Sequence, residues 1–562
     1  MMRRLLFVVA TLGIVLLRTA SADVAATKHN LSVSGPGAVK AATEAQICVF
    51  CHTPHNASPA AALWNRRNPT TTYTPYSSST TRGSAGQPNG ASLLCLSCHD
   101  GTIALGEVLS RATPITMAGA VTTMPAGAGR LGTDLGDDHP VSFAYTAALA
   151  SQRNGELVNP AALTGRVKLD ASGQLQCTSC HDAHDNSYGK FLVMANVASA
   201  LCTTCHLKSG WTAGSHATST RTWNGIGTNP WPTTSGATVA ANGCENCHQP
   251  HSAPGRKFLL HSATEENVCY SCHNGNVAAK NVQAEFNKLS RHSVANTTGT
   301  HDPAEVAVVG TMHVECVDCH NPHASRTAGT PAGPLTAVRG VNIGGAAVNA
   351  ATYEYEVCFR CHADSTSRTP APTITRQIAQ GNVRSKFLTT NASFHPLAGP
   401  GRSANVPSLI TPWTTASTMK CSDCHNNNAG PRAGGTGPNG PHGSTIRPLL
   451  ERQYITTDNT SYSVGNYALC FKCHSSTSIL GDASFGEHRK HIDSERTPCS
   501  VCHDPHGVPS PGTLTNNSRL INFDTTVVRP SSGGVLRFES TGTFRGRCYL
   551  NCHGKNHNPE SY

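Results

Sequence analysis

The sequence is poor in the side chains that usually fill a protein core. Only 14% of its 562 residues are charged and 6% are aromatic, and no long segment keeps the apolar periodicity of a helix or a strand. A chain of this composition would struggle to offset its folding entropy with its own side chains. The sequence therefore predicts that a bound group supplies much of the core.

Long hydrophobic runs are also missing. The apolar run over residues 5–17 is too short to span a bilayer, and no later segment reaches spanning length. Arg3 and Arg4 before that run and Ala20-Ser21-Ala22 after it are typical of a secretory signal peptide, with cleavage predicted after Ala22. We expect an exported protein without a transmembrane segment, located in the periplasm, at the outer membrane or outside the cell.

Cysteine and histidine are abundant instead, with 24 Cys and 29 His. All the cysteines fall into Cys-x-x-Cys-His motifs or a close variant. The eleven regular motifs are Cys48/Cys51/His52, Cys95/Cys98/His99, Cys177/Cys180/His181, Cys202/Cys205/His206, Cys244/Cys247/His248, Cys269/Cys272/His273, Cys316/Cys319/His320, Cys358/Cys361/His362, Cys421/Cys424/His425, Cys470/Cys473/His474 and Cys499/Cys502/His503. The twelfth, Cys548/Cys552/His553, has three residues between its cysteines.

Cys-x-x-Cys-His is the attachment sequence of c-type haem. Two intervening residues place both sulfurs for thioether bonds to the haem vinyl groups, and the following imidazole reaches the iron. Zinc would not require His directly after every second Cys, and a disulfide framework would not repeat a fixed pentapeptide. We expect twelve covalently bound haems c, with the attachment loop bulged at the twelfth motif.

A second layer of order follows these motifs. Five of them continue to another His three residues after the attachment His, at His55, His184, His251, His323 and His506. Each is followed by a motif that lacks this second His, so leading and trailing motifs alternate in six repeats, numbered 1 to 6 along the chain. In repeat 5, which begins at Cys421, His442 is the displaced equivalent. The second His cannot reach its own iron, but it can reach the opposite face of a neighbouring haem.

The supply of histidine bears on the second axial ligand. Twelve of the 29 His close attachment motifs, which leaves 17, whereas only five of seven Met remain after signal cleavage. Histidine ligation also fits a lower reduction potential than His/Met ligation. Beyond the second His of each repeat, the candidate axial ligands are His29, His139, His216, His292, His313, His395, His488 and His491. Weaker candidates are His261, His301 and His557, and a surface or propionate-bonding role is the alternative at every position.

The doubled motifs resemble those of multihaem cytochromes c from bacteria that respire extracellular metals. The repeated Cys-x-x-Cys-His-x-Pro-His units, the opening Lys28-His29-Asn-Leu-Ser and the segment Cys95-Leu-Ser-Cys-His-Asp-Gly101 carry this resemblance over nearly the whole mature chain. It implies bis-His, low-potential haems and long-range electron transfer. It leaves open a periplasmic carrier, a component of an outer-membrane conduit and an extracellular conductor.

The predicted fold is a mostly irregular, haem-packed multihaem cytochrome c with short helices at the attachment motifs and a few β-hairpins. Strands or hairpins are expected within residues 335–355, 454–467 and 520–544, and the last of these has its predicted turn at residues 530–534. The predicted regions are the signal peptide at 1–22, an N-terminal region at 23–300 with haems 1–6, and a C-terminal region at 301–562 with haems 7–12.

The leading interpretation is an electron carrier or conduit, not an enzyme, acting in electron export from the periplasm to the exterior. The alternative is a multihaem reductase with one open iron position, and a filament-forming conductor would need a His donated between subunits. Expected partners are other cytochromes or redox proteins, with an outer-membrane porin as a further candidate. Loss of Arg3, Arg4 and Arg18 lowers the net charge from +10 to +7. Haem propionates would offset that charge, so no nucleic-acid partner is expected. The oligomeric state is left open.

Overall fold

The computed structural model describes residues 24–58, 63–152, 156–232, 237–294, 302, 305–306, 313–364, 374–509 and 516–562. The predicted signal peptide and His301 lie outside these residues. Most of the described backbone is irregular, as expected for a chain with 51 Gly and 34 Pro, because both residues weaken regular hydrogen-bond ladders.

The helices are short, and most are one turn long. The α-helices are α1 Gly90–His99, α2 Ala147–Ser151, α3 Ala200–Thr203, α4 Ser215–Thr218, α5 Val239–Asn242, α6 Glu265–His273, α7 Cys316–Cys319, α8 Glu354–His362, α9 Val383–Lys386, α10 Ser476–Leu480 and α11 Cys499–Cys502. The 3-10 turns are Val24–Ala26, Cys48–Phe50, Ala118–Ala120, Pro160–Ala162, Cys177–Ser179, Val197–Ser199, Trp211–Ala213, Gly243–Asn246, Lys257–Leu259, Gln283–Asn287, Gly333–Leu335, Cys421–Asp423, Pro431–Ala433, Gly465–Tyr467, Cys470–Lys472 and Ser518–Leu520. A π-helical turn spans Lys490–Ser494.

The longer helices α6 and α8 carry their motif in the last turn and acidic residues in the first. Glu354 and Glu356 open α8, while Arg360 and His362 close it. This arrangement complements the helix dipole at both ends. The Glu356 carboxylate also accepts the backbone N–H of Thr352 at 2.6 Å and caps the helix.

The strands are β1 Phe143–Ala144, β2 Gln174–Leu175, β3 Ser290–Arg291, β4 Gly340–Val341, β5 Ala347–Val348, β6 Ser393–Phe394, β7 Gly443–Ser444, β8 Gly507–Val508, β9 Arg537–Gly542, β10 Arg545–Cys552 and β11 Lys555–Ser561. They form small antiparallel sheets that pair β1 with β2, β3 with β7, β4 with β5 and β6 with β8. The three longest strands form one sheet in the order β11-β10-β9. The predicted fold class is therefore confirmed.

The structure agrees with the predicted strands and hairpins in part. The pair β4–β5 lies within 335–355, as expected. Residues 454–467 contain a 3-10 turn and no strand. In the third stretch a turn does form at the predicted place, where the Gly534 N–H donates to the Ser531 carbonyl at 2.8 Å. The strands, however, pair around a second turn between Gly542 and Arg545, so the strand after it carries the twelfth attachment motif.

Buried apolar side chains form separate small clusters. One cluster joins Val341, Tyr355 and Phe359, and another joins Val501, Phe523 and Leu550. Attachment cysteines pack at the edges of several clusters, as Cys421 does on the first and Cys502 on the second. The described chain thus surrounds its motifs with local apolar patches.

The chain forms two compact units. The N-terminal unit contains the described residues up to Ser77 together with Thr81–Leu207 and Pro250–Ser252. The C-terminal unit contains Ser78–Thr80, Lys208–Gln249 and the described residues from Ala253 to Tyr562. The predicted division of haems near residue 300 stays a prediction. In the described ranges, no helix has the length and apolar character needed to cross a membrane.

Candidate haem sites

A regular attachment motif winds its ligand atoms into one helical turn. The His52 N–H donates to the Cys48 carbonyl at 2.8 Å, and the His320 N–H donates to the Cys316 carbonyl at 3.0 Å. This bond spans four residues, as in an α-helix, and brings both thiols and the imidazole to neighbouring positions on one turn. Both cysteines and the histidine can therefore bind the same planar group.

Nine attachment histidines each face another histidine across a gap of nearly constant width. The ring centroids of each pair lie 6.0–6.2 Å apart. The pairs, attachment His first, are His52–His184, His99–His29, His181–His251, His206–His139, His248–His323, His273–His216, His320–His442, His362–His292 and His425–His506. A metal–nitrogen bond of about 2.0 Å and a ring centre about 1.2 Å further out put two opposed imidazoles about 6.4 Å apart. The gaps therefore fit one iron each.

The pairs follow a strict order along the chain. In the five pairs of a leading motif, the attachment His faces the second His of the next repeat, as His320 in repeat 4 faces His442 in repeat 5. In the four pairs of a trailing motif, it faces a His that precedes the leading motif of its own repeat, as His273 faces His216. The ring planes differ accordingly. The leading pairs are inclined by 7° to 40°, whereas the trailing pairs are inclined by 57° to 84°.

Backbone carbonyls fix the orientation of many of these rings. Nδ1 of His99 lies 2.6 Å from the Gly129 carbonyl oxygen, and Nδ1 of His248 lies 2.7 Å from that of Phe258. A carbonyl oxygen only accepts, so Nδ1 carries the proton and Nε2 keeps its lone pair. Metal-binding histidines in proteins are usually held in this way.

Burial keeps several of the paired imidazoles neutral. It lowers the pKa of His273 and of His362 to about 4, and that of His323 and of His442 to about 3, because the charged form loses its hydration. Only a neutral imidazole offers a lone pair to a metal. The orientation, spacing and charge of the pairs therefore all fit axial ligation of haem iron.

Two comparisons with known proteins agree with these features. Residues 171–210 and 237–278, which hold both motifs of repeats 2 and 3, match the family described as "Doubled CXXCH motif". Over 201 residues the chain is 27% identical to "Multiheme cytochrome MtrA" of Shewanella baltica (strain OS185). The chain is a doubled-motif multihaem c-type cytochrome. The match to the Shewanella protein covers 34% of this cytochrome and 43% of that relative, so it spans less than half of the relative's length.

Successive repeats of the cytochrome are joined next to their second histidines. Strand β3 leads into His292 and pairs with β7, which directly follows His442. Strand β6 leads into His395 and pairs with β8, which directly follows His506, in the same register. These two-residue pairings set a trailing-site His of one repeat beside the second His of the next.

In repeats 2 to 6, the residue before the second His adds another link between repeats. The Pro322 carbonyl lies 2.9 Å from Nδ1 of His216, and the Pro441 carbonyl lies 2.8 Å from Nδ1 of His292. The same link joins Ala183 to the His29 ring at 3.1 Å and Pro505 to the His395 ring. In the N-terminal unit the Pro250 carbonyl instead accepts the His139 backbone N–H at 2.8 Å.

Adjacent motifs of the cytochrome are also in contact. A polar side chain before a trailing motif accepts a backbone N–H from the next leading motif: Glu354 from Ser422 at 2.8 Å, Glu265 from Val317 at 3.1 Å and Ser92 from Cys177 at 3.0 Å. At the same junctions the first cysteines of the two motifs are close neighbours, in the pairs Cys95–Cys177, Cys269–Cys316 and Cys358–Cys421. Neighbouring motifs in sequence are thus neighbours in space at these junctions.

Three arginines hold the motif turns; Arg66 and Arg360 are buried, and the Arg376 side chain is 9% exposed. Arg66 is fully buried and donates to the Ser97 carbonyl at 3.0 Å and to the Ala104 carbonyl at 3.0 Å. Arg360 donates to the Asp318 carbonyl at 2.8 Å, and Arg376 donates to the Ser500 carbonyl at 2.6 Å. Ser97, Asp318 and Ser500 each lie between the cysteines of a motif. No motif or spacing in the sequence marks these arginines.

The tenth and eleventh motifs have a histidine nearby. Burial and then the neighbouring His395 lower the pKa of His474 to about 4, and burial and then the neighbouring His488 lower the pKa of His503 to about 4. Nδ1 of His488 is buried without a hydrogen-bond partner, whereas Nδ1 of His491 lies 2.8 Å from the Glu487 carbonyl. His488 and His491 both contact Phe485.

The twelfth motif differs from the others in backbone and in contacts. Cys548 and Cys552 lie on strand β10, with a register irregularity between Cys548 and Leu550. His553 has a φ of 49° and Gly554 a φ of 81°, so these two residues form the tight turn to β11. Nε2 of His553 is 2.8 Å from the Asp458 carboxylate. As folded, His553 does not offer Nε2 to an iron, and this site does not fit the pattern of the other motifs.

Four remaining candidates lie outside the pairs. His55 is exposed, and its backbone contacts Thr53. His313 lies 3.3 Å from Glu305 and 4.0 Å from Asp318, two carboxylates that also contact Arg360. His557 lies 3.5 Å from Glu560, and the backbone N–H of His261 donates to Cys247. Their axial roles stay predictions.

Proposed function

We propose that the cytochrome carries electrons along twelve covalently attached haems, most of them with two histidine ligands, as a conduit in respiratory electron export from the periplasm to the exterior. The observation that carries the proposal is the set of nine opposed histidine pairs, ordered along the chain without a gap between repeats. Bound haems would supply one-electron transfer, with potentials set by ligand type and surroundings.

The residues of this chain hold and orient the haems. In the nine pairs, the attachment His and its opposed His are the proposed axial ligands. His395 is the proposed second ligand at the tenth motif, His488 at the eleventh and His491 at the twelfth. The twelfth assignment follows the order of the other trailing motifs, and it requires His553 to leave Asp458.

The close contacts between adjacent motifs support transfer in chain order within each compact unit. Hydrogen bonds such as those of Glu265 and Glu354 keep consecutive motif turns together, and haems attached to the adjoining cysteines would be held close to each other. Buried arginines such as Arg360 hold the same turns from behind. Such fixed spacing favours fast transfer, because no residue has to move between steps.

A carbon monoxide titration of the fully reduced holoprotein tests the conduit directly. The gas binds only where an iron lacks its sixth ligand. We expect no change in the visible spectrum, normalised to total haem. Reaction of several haems per chain would contradict the axial pairing.

A reductase with one open haem is the second candidate, and the twelfth motif is the observation that favours it. If the His553–Asp458 contact persists in the holoprotein, the twelfth iron lacks the regular ligand set. Carbon monoxide would then bind about one haem in twelve. An Asp458→Asn variant would lower that fraction by releasing His553, and intact mass would separate eleven attached haems from twelve.

Location and partners are parts of the same proposal. The predicted signal sequence supports export, and the mature N-terminus is expected at Asp23. N-terminal sequencing of the protein from periplasmic and outer-membrane fractions would test both. Redox proteins are the expected partners, with an outer-membrane porin as a further candidate. Co-purification from membrane fractions would identify either.

A further inference from the structure

The second His of a repeat belongs to a two-residue element that acts on the repeat before it. In repeat 5, His442 faces the attachment His320, and the preceding Pro441 carbonyl holds the ring of His292. In repeat 4, His323 faces His248, and Pro322 holds the ring of His216. One short loop therefore completes two sites of the preceding repeat at once.

This loop is preformed by a local turn. The side-chain oxygen of the residue after the attachment His accepts the N–H of the second His, from His323 to Asn321 at 3.1 Å and from His506 to Asp504 at 3.1 Å. Turns of this kind are intrinsic to Asn, Asp, Ser and Thr. They aim the second His away from its own motif.

Repeat 1 has the same loop. His55 donates its N–H to the Thr53 hydroxyl at 3.4 Å, and that hydroxyl donates to the His55 carbonyl at 2.6 Å. Pro54 occupies the position of Pro322 and Pro441, and both Pro54 and His55 are exposed. Among the described residues, no imidazole faces His55 across a gap like those of the other second histidines.

Repeat 6 makes both of these contacts with residues of its own segment instead of with a loop from another repeat. Its attachment His503 has His488 as a neighbour in place of a second His from another repeat. The ring of His491 is held by Glu487 four residues earlier, in place of a carbonyl from another repeat. Repeat 6 is therefore closed against a further loop of this kind.

We propose that the loop Thr53–His55 is a docking site for another haem protein, with His55 as an axial ligand to a haem of that partner. The Pro54 carbonyl would accept the Nδ1–H of a partner histidine, as Pro441 does within this chain. The partner is a different cytochrome and not a second copy, because repeat 6 already fills both positions. The inference rests on the axial pairing proposed above.

Opening repeat 6 turns the chain itself into a test partner. We compare the holoprotein with three variants, His488→Ala, His488→Ala/His55→Ala and His488→Ala/His261→Ala. Carbon monoxide binding and sedimentation are measured over a hundredfold range of concentration, with total haem checked for each variant. His261 is the matched control, since its ring lies outside every histidine pair.

We expect the wild type to stay monomeric and unreactive to carbon monoxide. His488→Ala should bind the gas at about one haem in twelve when dilute. On concentration it should form head-to-tail oligomers and lose most of that reactivity, as His55 of one copy occupies the opened haem of the next. The His55→Ala double variant should remain monomeric and reactive throughout, and the His261→Ala double variant should behave like His488→Ala.

Each of the other possible outcomes would contradict one specific part of the proposal. If His488→Ala stays monomeric and reactive at every concentration, the docking role of His55 is wrong while the conduit stands. If the His488→Ala variant never binds carbon monoxide, His488 is not the axial ligand at the eleventh motif. The claim that repeat 6 is closed against another loop is then wrong. If the wild type forms oligomers that His55→Ala abolishes, the partner is a second copy. Reactivity of the wild type itself would instead contradict the proposed function.

Discussion

Leading and trailing motifs have the same attachment sequence but obtain their opposed histidine from different places. At a leading motif such as that of His425, the opposed ring comes from the following repeat and lies nearly parallel, at 8°. At a trailing motif such as that of His273, it comes from the same repeat and lies nearly perpendicular, at 84°. The leading sites therefore connect one repeat to the next, whereas each trailing site is formed by histidines of a single repeat.

The difference in ring angle should divide the haems into two electronic classes. Parallel imidazole planes interact with the same iron d orbital and perpendicular planes with two different ones, so the magnetic anisotropy of the ferric ion differs. We expect the electron paramagnetic resonance spectrum of the oxidised protein to contain two low-spin populations of similar size. One uniform population would show that haem binding erases the difference in angle.

Removing one opposed histidine from a leading site and one from a trailing site should show which kind of site holds neighbouring repeats together. His442→Ala and His216→Ala should each open about one haem in twelve to carbon monoxide. His442→Ala should also loosen repeat 5 from repeat 4, with a loss of more than about 4 kcal/mol, the range associated with a lost metal link. Thermal unfolding followed by haem absorbance measures this. Equal melting temperatures for the two variants would contradict the connecting role of the leading sites.

Arg360 supports a leading motif from within a trailing helix, so its removal tests the contact between the two classes. Arg360→Ala leaves the buried Asp318 without its cation and the Asp318 carbonyl without a donor, at a cost of about 3 kcal/mol. Arg360→Lys should recover part of this, because lysine keeps the charge but not the forked geometry. Urea unfolding of both variants gives the comparison. A neutral Arg360→Ala would exclude the arginine as a support.

Glu354 tests the weaker contact between a trailing motif and the next leading one. Its carboxylate accepts both the N–H and the hydroxyl of Ser422 at 2.8 Å. Glu354→Ala should cost about 1–2 kcal/mol, and Glu354→Gln clearly less, because an amide oxygen still accepts. Hydrogen exchange at the Ser422 amide should accelerate in the alanine variant alone. Unchanged exchange would mean that the contact does not hold the motif.

The attachment motifs and their second histidines could be predicted because their chemistry requires fixed local spacing. The partner of each histidine could not be predicted, because it depends on strand pairs of two residues, such as β3 with β7, that leave no periodic signal. No strand forms at residues 454–467. The Ile455 N–H donates to the Asn466 carbonyl at 2.9 Å, but this contact does not extend into a ladder, because β-rich composition alone does not ensure continued pairing.

The twelfth motif shows how an insertion changes local structure in a way that spacing alone does not reveal. The extra residue was expected to bulge a loop, but the motif continues a strand that pairs on both sides with β9 and β11. Buried arginines such as Arg66 were also missed, since burial is a property of the folded chain. Sequence thus predicts which histidines are candidate ligands better than it predicts the scaffold that orients them.

The dependence of each leading site on the next repeat also has a consequence for biogenesis. A chain is made from its amino end, and its segments generally fold in that order. Each leading iron would therefore wait with one face uncovered until between 70 and 132 further residues had emerged, as His320 waits for His442. Maturation would advance in steps of one repeat, and a truncated chain would expose reactive iron at its last leading motif. Repeat 6 escapes this delay, because His488 has already been made when Cys499 appears.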